Sequence, residues 1–203
     1  MEIVFKGNEI ILSKEPSPLD NFVMDFVKIL RNHNIKHVII SGYVANLFGQ
    51  NRTNEEVNIL IQHITFEKFL KFWLEFEKEY ECLNTVDPID AYNAFLVNHH
   101  AIAIARKNSP APNIKLKFIK NEHERFTLKY RKTVRIDDKI LFISPLETLI
   151  LNSLISGSEK DIEDARFLFK LFKNELNLEL MERFRSELNI PAESVDKYLG
   201  KVN

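Results

Sequence analysis

The sequence predicts an α/β (α+β) chain: a mixed sheet flanked by helices, followed by a C-terminal helical bundle. Short apolar runs of strand length alternate with longer segments whose apolar residues recur at helical spacing, as far as about residue 143. From Ser144 onward only the helical spacing persists. The chain has 203 residues, 45% of them apolar, which is enough to bury a real core but argues against several independent domains. The expected organisation is an N-terminal hairpin over residues 1–16, a mixed domain over 17–143 and a helical region over 144–203.

Each element has a local signal. Glu2 to Leu12 reads as two short strands around a Lys6-Gly7-Asn8 turn. Ser17 before Pro18 suits an N-cap with proline at the first helical position, and Leu19, Phe22, Val23, Phe26, Val27 and Leu30 then give one apolar face. Asn32-His33-Asn34 ends that helix. Val38-Ile39-Ile40 marks a buried strand over His37 to Ser41, Gly42 turns into a short helix ending near Gly49, and a strand follows over Glu56 to Gln62.

Thr65 caps a helix expected to reach about Tyr80. Its apolar residues lie almost all round: Phe66, Phe69, Leu70, Phe72, Trp73, Leu74 and Phe76. One face is expected to meet the sheet, and a second to meet a protein partner or another copy in a homodimer. Strands at Glu81 to Asn84 and Ala101 to Arg106 flank a helix from about Pro88 to Val97. After a Ser109-Pro110-Ala111-Pro112 loop, Ile114 to Lys120 alternates apolar and basic residues, so Lys115 and Lys117 share one face of a half-exposed strand. Asn121 to Lys132 reads as a polar helix, and Thr133 to Ile136 with Lys139 to Ile143 as a hairpin around Asp137-Asp138. Ser144-Pro145-Leu146-Glu147 has the pattern of a capping box. Helices are expected over 146–155, 162–172 and 178–184, with a short last one near 195–199.

Twenty-eight basic against twenty-nine acidic side chains create no global field towards nucleic acid or anionic membrane, so any such binding is local. The most basic stretch joins Lys115, Lys117 and Lys120 to Lys129, Arg131, Lys132 and Arg135, and is the candidate track for nucleic acid. The single Cys82 forms no internal disulfide and has no catalytic partner in sequence, so it reads as a small core residue in a reducing, cytoplasmic setting. No apolar run is long enough to span a bilayer, and no membrane association is expected. His99-His100 diverge if extended and lack a third ligand at metal spacing.

One constellation carries chemistry. The order of strand, Ser41-Gly42, short helix, Gly49, Arg52-Thr53, then an acidic and a polar residue two positions apart on a strand, resembles the minimal nucleotidyltransferase fold of the DNA polymerase beta superfamily. It is similar to the small prokaryotic AbiEii-like nucleotidyltransferases, and Lys160-Asp161-Ile162-Glu163-Asp164-Ala165 looks like that family's later lysine-aspartate motif. The resemblance covers roughly Leu19 to Phe172. It implies a nucleoside triphosphate held at Ser41 and Gly42, with Arg52, Thr53, Lys160, Asp161 and Asp164 as further nucleotide-binding candidates. It also implies a catalytic set of carboxylates holding Mg2+, two of them at alternate positions of one strand because period two points both at the same metal pair.

Here Glu56 falls on the first carboxylate position, Asn58 on the second, and Lys115 in place of the third. Three anionic ligands become one carboxylate, one amide and one ammonium, which leaves Glu56 as the metal ligand at most. The resemblance therefore implies a catalytically impaired superfamily member kept for nucleotide sensing or for holding a protein partner. An active metal-dependent transferase acting on RNA, a protein or a small molecule is the alternative, with Asn58 as a neutral ligand or with Glu55 brought round by a bulge. A nucleic-acid-binding module on the basic strand is another. Lys115 or Lys117 holding phosphates directly would keep anion binding without metal.

Overall fold

The structure, a computed structural model, describes residues 1–40, 42–50 and 56–200. In chain order its strands are β1 (Glu2–Lys6), β2 (Glu9–Ser13), β3 (His37–Ile40), β4 (Glu56–Ile61), β5 (Tyr80–Cys82), β6 (Ile102–Arg106), β7 (Ser109–Phe118), β8 (Lys132–Ile136) and β9 (Lys139–Ile143). The helices are α1 (Pro18–Asn32), α2 (Gly42–Leu47), α3 (Phe66–Phe76), α4 (Pro88–Asp90), α5 (Glu122–Lys129), α6 (Leu146–Ser156), α7 (Glu159–Phe172), α8 (Leu178–Glu187) and α9 (Ala192–Leu199). Among the described residues, all nine strands join one mixed sheet in the order β1-β2-β8-β9-β3-β4-β7-β6-β5. The N-terminal hairpin is part of that sheet, because β2 pairs in parallel with β8.

The helix starts follow from their caps. Ser17 accepts the N–H of Asp20 while Asp20 accepts the N–H of Ser17, so a capping box forms here, with Pro18 in the first turn. Thr65, Asn121, Ser158 and Asn177 cap α3, α5, α7 and α8 with the one-way bond alone, each side chain accepting a backbone N–H of the first turn. The box expected at Ser144 does not form. Ser144 Oγ meets Thr148 Oγ1 at 2.7 Å, and Glu147 is buried and accepts the N–H of Asn177 at 2.8 Å. That carboxylate serves the start of α8 instead of its own helix.

Other boundaries shift for visible reasons. The helix expected to reach Tyr80 stops at Phe76, because the Tyr80 ring is buried against Phe22 and Phe26 and its backbone joins the sheet as β5. On α3, Phe69, Phe72, Trp73 and Phe76 all face the core, and Leu74 is the large apolar side chain left exposed. After α4 the chain winds as a π-helix over Ala91–Leu96, with Val97 N–H bonded to Tyr92 and His100 N–H to Phe95. The segment expected as a loop at Ser109 to Pro112 is the start of β7, with Ser109 opposite Arg106 across an irregularity at Ala105 and Arg106. α5 ends at Lys129, three residues early, and Lys132 enters β8.

The two sheet faces are unequal. Val57, Ile59, Ile61, Ile114, Leu116 and Phe118 point into the main core with α1 and α3, and the apolar faces of α6, α7 and α8 belong to that same cluster. On the opposite face, Val38, Leu60, Ile119 and Leu128 form a small second cluster with Ile40. Alternation along β4 and β7 thus puts Glu56, Asn58, Lys115 and Lys117 on the lightly covered face. Among the described residues, no helix is long and apolar enough to cross a membrane.

His37 is buried in β3 with its Nδ1 donating to the Ile35 carbonyl at 3.0 Å, and its ring meets Phe142 edge-on. Burial pushes its pKa down to about 4, and the cations of Arg131 and Arg31 add to the effect. The unfolded chain then binds the proton first, so this stability is present above about pH 6.5 and is lost as pH falls towards 4. Between pH 7 and pH 5 the loss is about 2 kcal/mol. Urea unfolding at the two pH values is expected to show it, and His37→Asn, which keeps the N–H to Ile35, is expected to remove most of the slope.

Candidate functional site

The site is assembled by strand register. Ile40 of β3 lies opposite Asn58, and on the other side of β4 the parallel partner of Asn58 is Lys115. Two residues back, Glu56 starts the strand, and its Oε1 lies 3.3 Å from Lys115 Nζ. The three positions singled out in the sequence, Glu56, Asn58 and Lys115, are therefore brought together on one face. Two residues further along β7, Lys117 pairs at 2.9 Å with Glu124, whose other oxygen accepts the N–H of Lys120. Each lysine of the row thus has a carboxylate.

Beside this row is a cavity of about 380 Å³. Its floor is Ile40 and Leu60, one wall comes from α5 with His123 and Glu124, and the other from α6 with Asn152 and Ser156. Leu60 follows Asn58 by two residues on the same face, so the cavity continues the candidate site along the sheet. Asp161 lines it too, accepting the hydroxyls of Ser156 and Ser158 at 2.6 Å each at the start of α7. Burial holds the His123 pKa below the usual value although Asn152, 3.3 Å from its Nε2, works the other way, so the ring is neutral at pH 7.

The remaining sequence candidates divide. Gly42 opens α2, next to β3, as expected for the turn after the buried strand. Ser41, Arg52, Thr53 and Glu55 lie outside the described residues. Asp164 is buried one turn beyond Asp161, whereas Lys160 is exposed and does not line the cavity. In the basic stretch, Arg135 pairs with Glu9 at 2.7 Å and Arg131 lies over the Phe142 ring while donating to the Leu128 carbonyl. Cys82 is half-buried at the sheet edge, against the core.

Among solved structures, the chain is similar to an antigenic nucleotidyltransferase-like protein from Paracoccidioides brasiliensis, with a TM-score of 0.54 and 18% identity over 93% of this chain and 94% of that one. The chain has a nucleotidyltransferase fold. A second similar structure is the antibiotic-resistance factor ANT(2'')-Ia, with a TM-score of 0.50 and 9% identity over 87% of this chain and 94% of that one. No protein-family model matches the sequence, and no curated protein does.

Within this nucleotidyltransferase fold, sequence reasoning missed the group that seats α2. Tyr43, one residue after Gly42, donates its hydroxyl to Asp20 Oδ1 at 2.8 Å. Lys14 pairs with Asp20 Oδ2 at 2.8 Å and donates to the Leu47 carbonyl at the far end of α2. Asp20 is 1% exposed. Burial alone would raise its pKa, but the Lys14 ammonium and the Ser17 N–H outweigh it and hold the carboxyl below the usual range. The Ser17 to Asp20 spacing was the available signal for the cap; nothing local pointed to Tyr43.

Removing the carboxylate strands a half-buried ammonium and a buried hydroxyl. Asp20→Ala is expected to cost about 3–5 kcal/mol in urea unfolding. Tyr43→Phe, which leaves the ion pair intact, is expected to cost about 1 kcal/mol. Equal small losses in both variants would mean that Asp20 does not anchor α2.

Proposed function

We propose that this chain binds a nucleotide on a nucleotidyltransferase scaffold whose two-metal centre has given way to an internal ion pair, and that it does not transfer the nucleotide. The observation that carries the reading is the 3.3 Å approach of Lys115 to Glu56, with Asn58 as the register partner of Lys115 on the neighbouring strand. Mg2+ is held by hard anionic oxygens in octahedral array. The residues present do not fit it: one carboxylate is already paired, the neighbour is a neutral amide, and an ammonium sits where a third anion would be needed. A divalent ion about 4 Å from that ammonium meets several kcal/mol of repulsion even at the effective dielectric of a protein surface.

Nucleotide binding is supported by what remains. The lysine row offers cations for phosphates, and the adjoining cavity has an apolar floor with an amide, a neutral imidazole and hydroxyls for the organic part. Of its two carboxylates, Glu124 is balanced by Lys117, whereas Asp161 accepts the neutral hydroxyls of Ser156 and Ser158 and keeps its charge, so the phosphates belong at the lysine row and not beside Asp161.

Thermal unfolding with each nucleoside triphosphate separates the readings, since a ligand of the folded state raises the midpoint by mass action. The expected result is a rise with at least one nucleotide that persists in chelator, with no transfer of labelled nucleotide in Mg2+ or Mn2+. Metal-dependent transfer that disappears in Glu56→Ala would overturn the reading. The double variant Asn58→Asp with Lys115→Asp is expected to bind Mg2+ more tightly than the wild type; an unchanged affinity would mean the three positions do not form one site.

A further inference from the structure

Resting on the nucleotide reading, we propose that Lys115 is a metal-free phosphate site that Glu56 keeps closed, so that the carboxylate is a built-in competitor of the ligand and not its metal anchor. The two roles make opposite demands on Glu56, and several observations favour the competitor.

The first is geometry. Glu56 is the first residue of β4, its side chain is 56% exposed, and it forms an ion pair with Lys115. A carboxylate at a strand end can swing into solvent without disturbing the core. The second is energy. An ion pair this exposed is weak, so a ligand with more charge can displace it. A polyphosphate brings several negative charges to the same ammonium and outcompetes one carboxylate.

The third is the second lysine. Lys117 stands on the same face of β7, two residues along, and is about as exposed as Lys115, at 31% against 32%. Its partner Glu124 is held more firmly, at 15% exposure and with the Lys120 N–H on its second oxygen. The row is therefore asymmetric: one lysine is fixed in a closed network, and the other is paired with a carboxylate that can leave. A phosphate displacing Glu56 gains Lys115 fully and feels Lys117 at one strand step, about 7 Å away. The ligand class is a phosphate-bearing anion bound without divalent metal, with tripolyphosphate as its minimal form.

Calorimetric titration of tripolyphosphate in chelator, alongside ATP, tests this. Wild type is expected to bind, with affinity falling as NaCl is added. Glu56→Gln is expected to bind about fivefold tighter, which is the release of about 1 kcal/mol of competition. Lys115→Gln is expected to lose at least as much affinity as that gain, Lys115→Arg to retain binding, and Glu56→Gln with Lys115→Gln to show no gain over Lys115→Gln alone. Unchanged or weaker tripolyphosphate binding in Glu56→Gln overturns the competitor role; if ATP still binds wild type in chelator, the nucleotide reading survives that failure. Absence of binding by ATP and tripolyphosphate to every variant overturns both.

Discussion

The parallel register between β4 and β7 sets Asn58 beside Lys115, and the rest of the candidate site follows from it. Because side chains alternate along a strand, the same register that buries Val57, Ile59, Ile114 and Leu116 in the main core forces Glu56, Asn58, Lys115 and Lys117 onto the other face. A slip of one residue would put lysines in the core, so the register is held by the whole apolar set. The ion pair of Lys115 with Glu56 is weak in energy but placed by a strong constraint. The electrostatics of the face are consequently fixed by the fold: near-neutral, with cations on β7 and their carboxylates supplied by β4 and α5.

The neighbouring elements are seated by buried polar groups. Asp20 gathers the Ser17 cap, the Lys14 ammonium and the Tyr43 hydroxyl, and Lys14 also reaches the last carbonyl of α2. A six-residue helix has little stability of its own, so these contacts and the burial of Tyr43, Val44, Ala45 and Leu47 hold it against the sheet. Glu147 does comparable work where α8 begins, linking two helices of the tail through one charge-assisted hydrogen bond. His37, kept neutral by burial, extends the pattern to the strand beside the site, where protonation would place an unsolvated charge next to Arg131.

Local signals in the sequence were reliable where the deciding interaction is local. The helix after Ser17, the cap at Thr65, the short helix after Gly42 and the alternation of Lys115 and Lys117 are all visible within a few residues, and the structure has them. The grouping of Glu56, Asn58 and Lys115 was legible only through the fold resemblance, since α3, β5, α4 with the π-helix after it, and β6 all lie between β4 and β7. What was not legible depends on distant partners. Glu147 fits a capping box by pattern, yet the Asn177 N–H, thirty residues away, takes its carboxylate. The aromatic residues around α3 suggested a second exposed face, but Phe72 and Phe76 pack on Phe26 of α1 and Phe69 on Tyr92, so that Phe69, Phe72, Trp73 and Phe76 are all buried and Leu74 is left well outside. Prolines at 110 and 112 read as a loop, whereas the start of β7 tolerates them next to the register irregularity with β6. Glu124, His123 and Asn152 carried no motif; they matter because α5 and α6 face each other across the cavity.

The most direct test of a metal centre replaced by an ion pair is titration of Mn2+ followed by its paramagnetic resonance signal, with nucleotide present, on the wild-type chain and on Glu56→Gln. With Lys115 occupying the carboxylate, stoichiometric protein is expected to remove no more free-ion signal than the nucleotide alone does, and the two proteins are expected to behave alike. A stoichiometric loss of free Mn2+ in the wild type that Glu56→Gln abolishes would contradict this and make Glu56 the anchor of a working metal site.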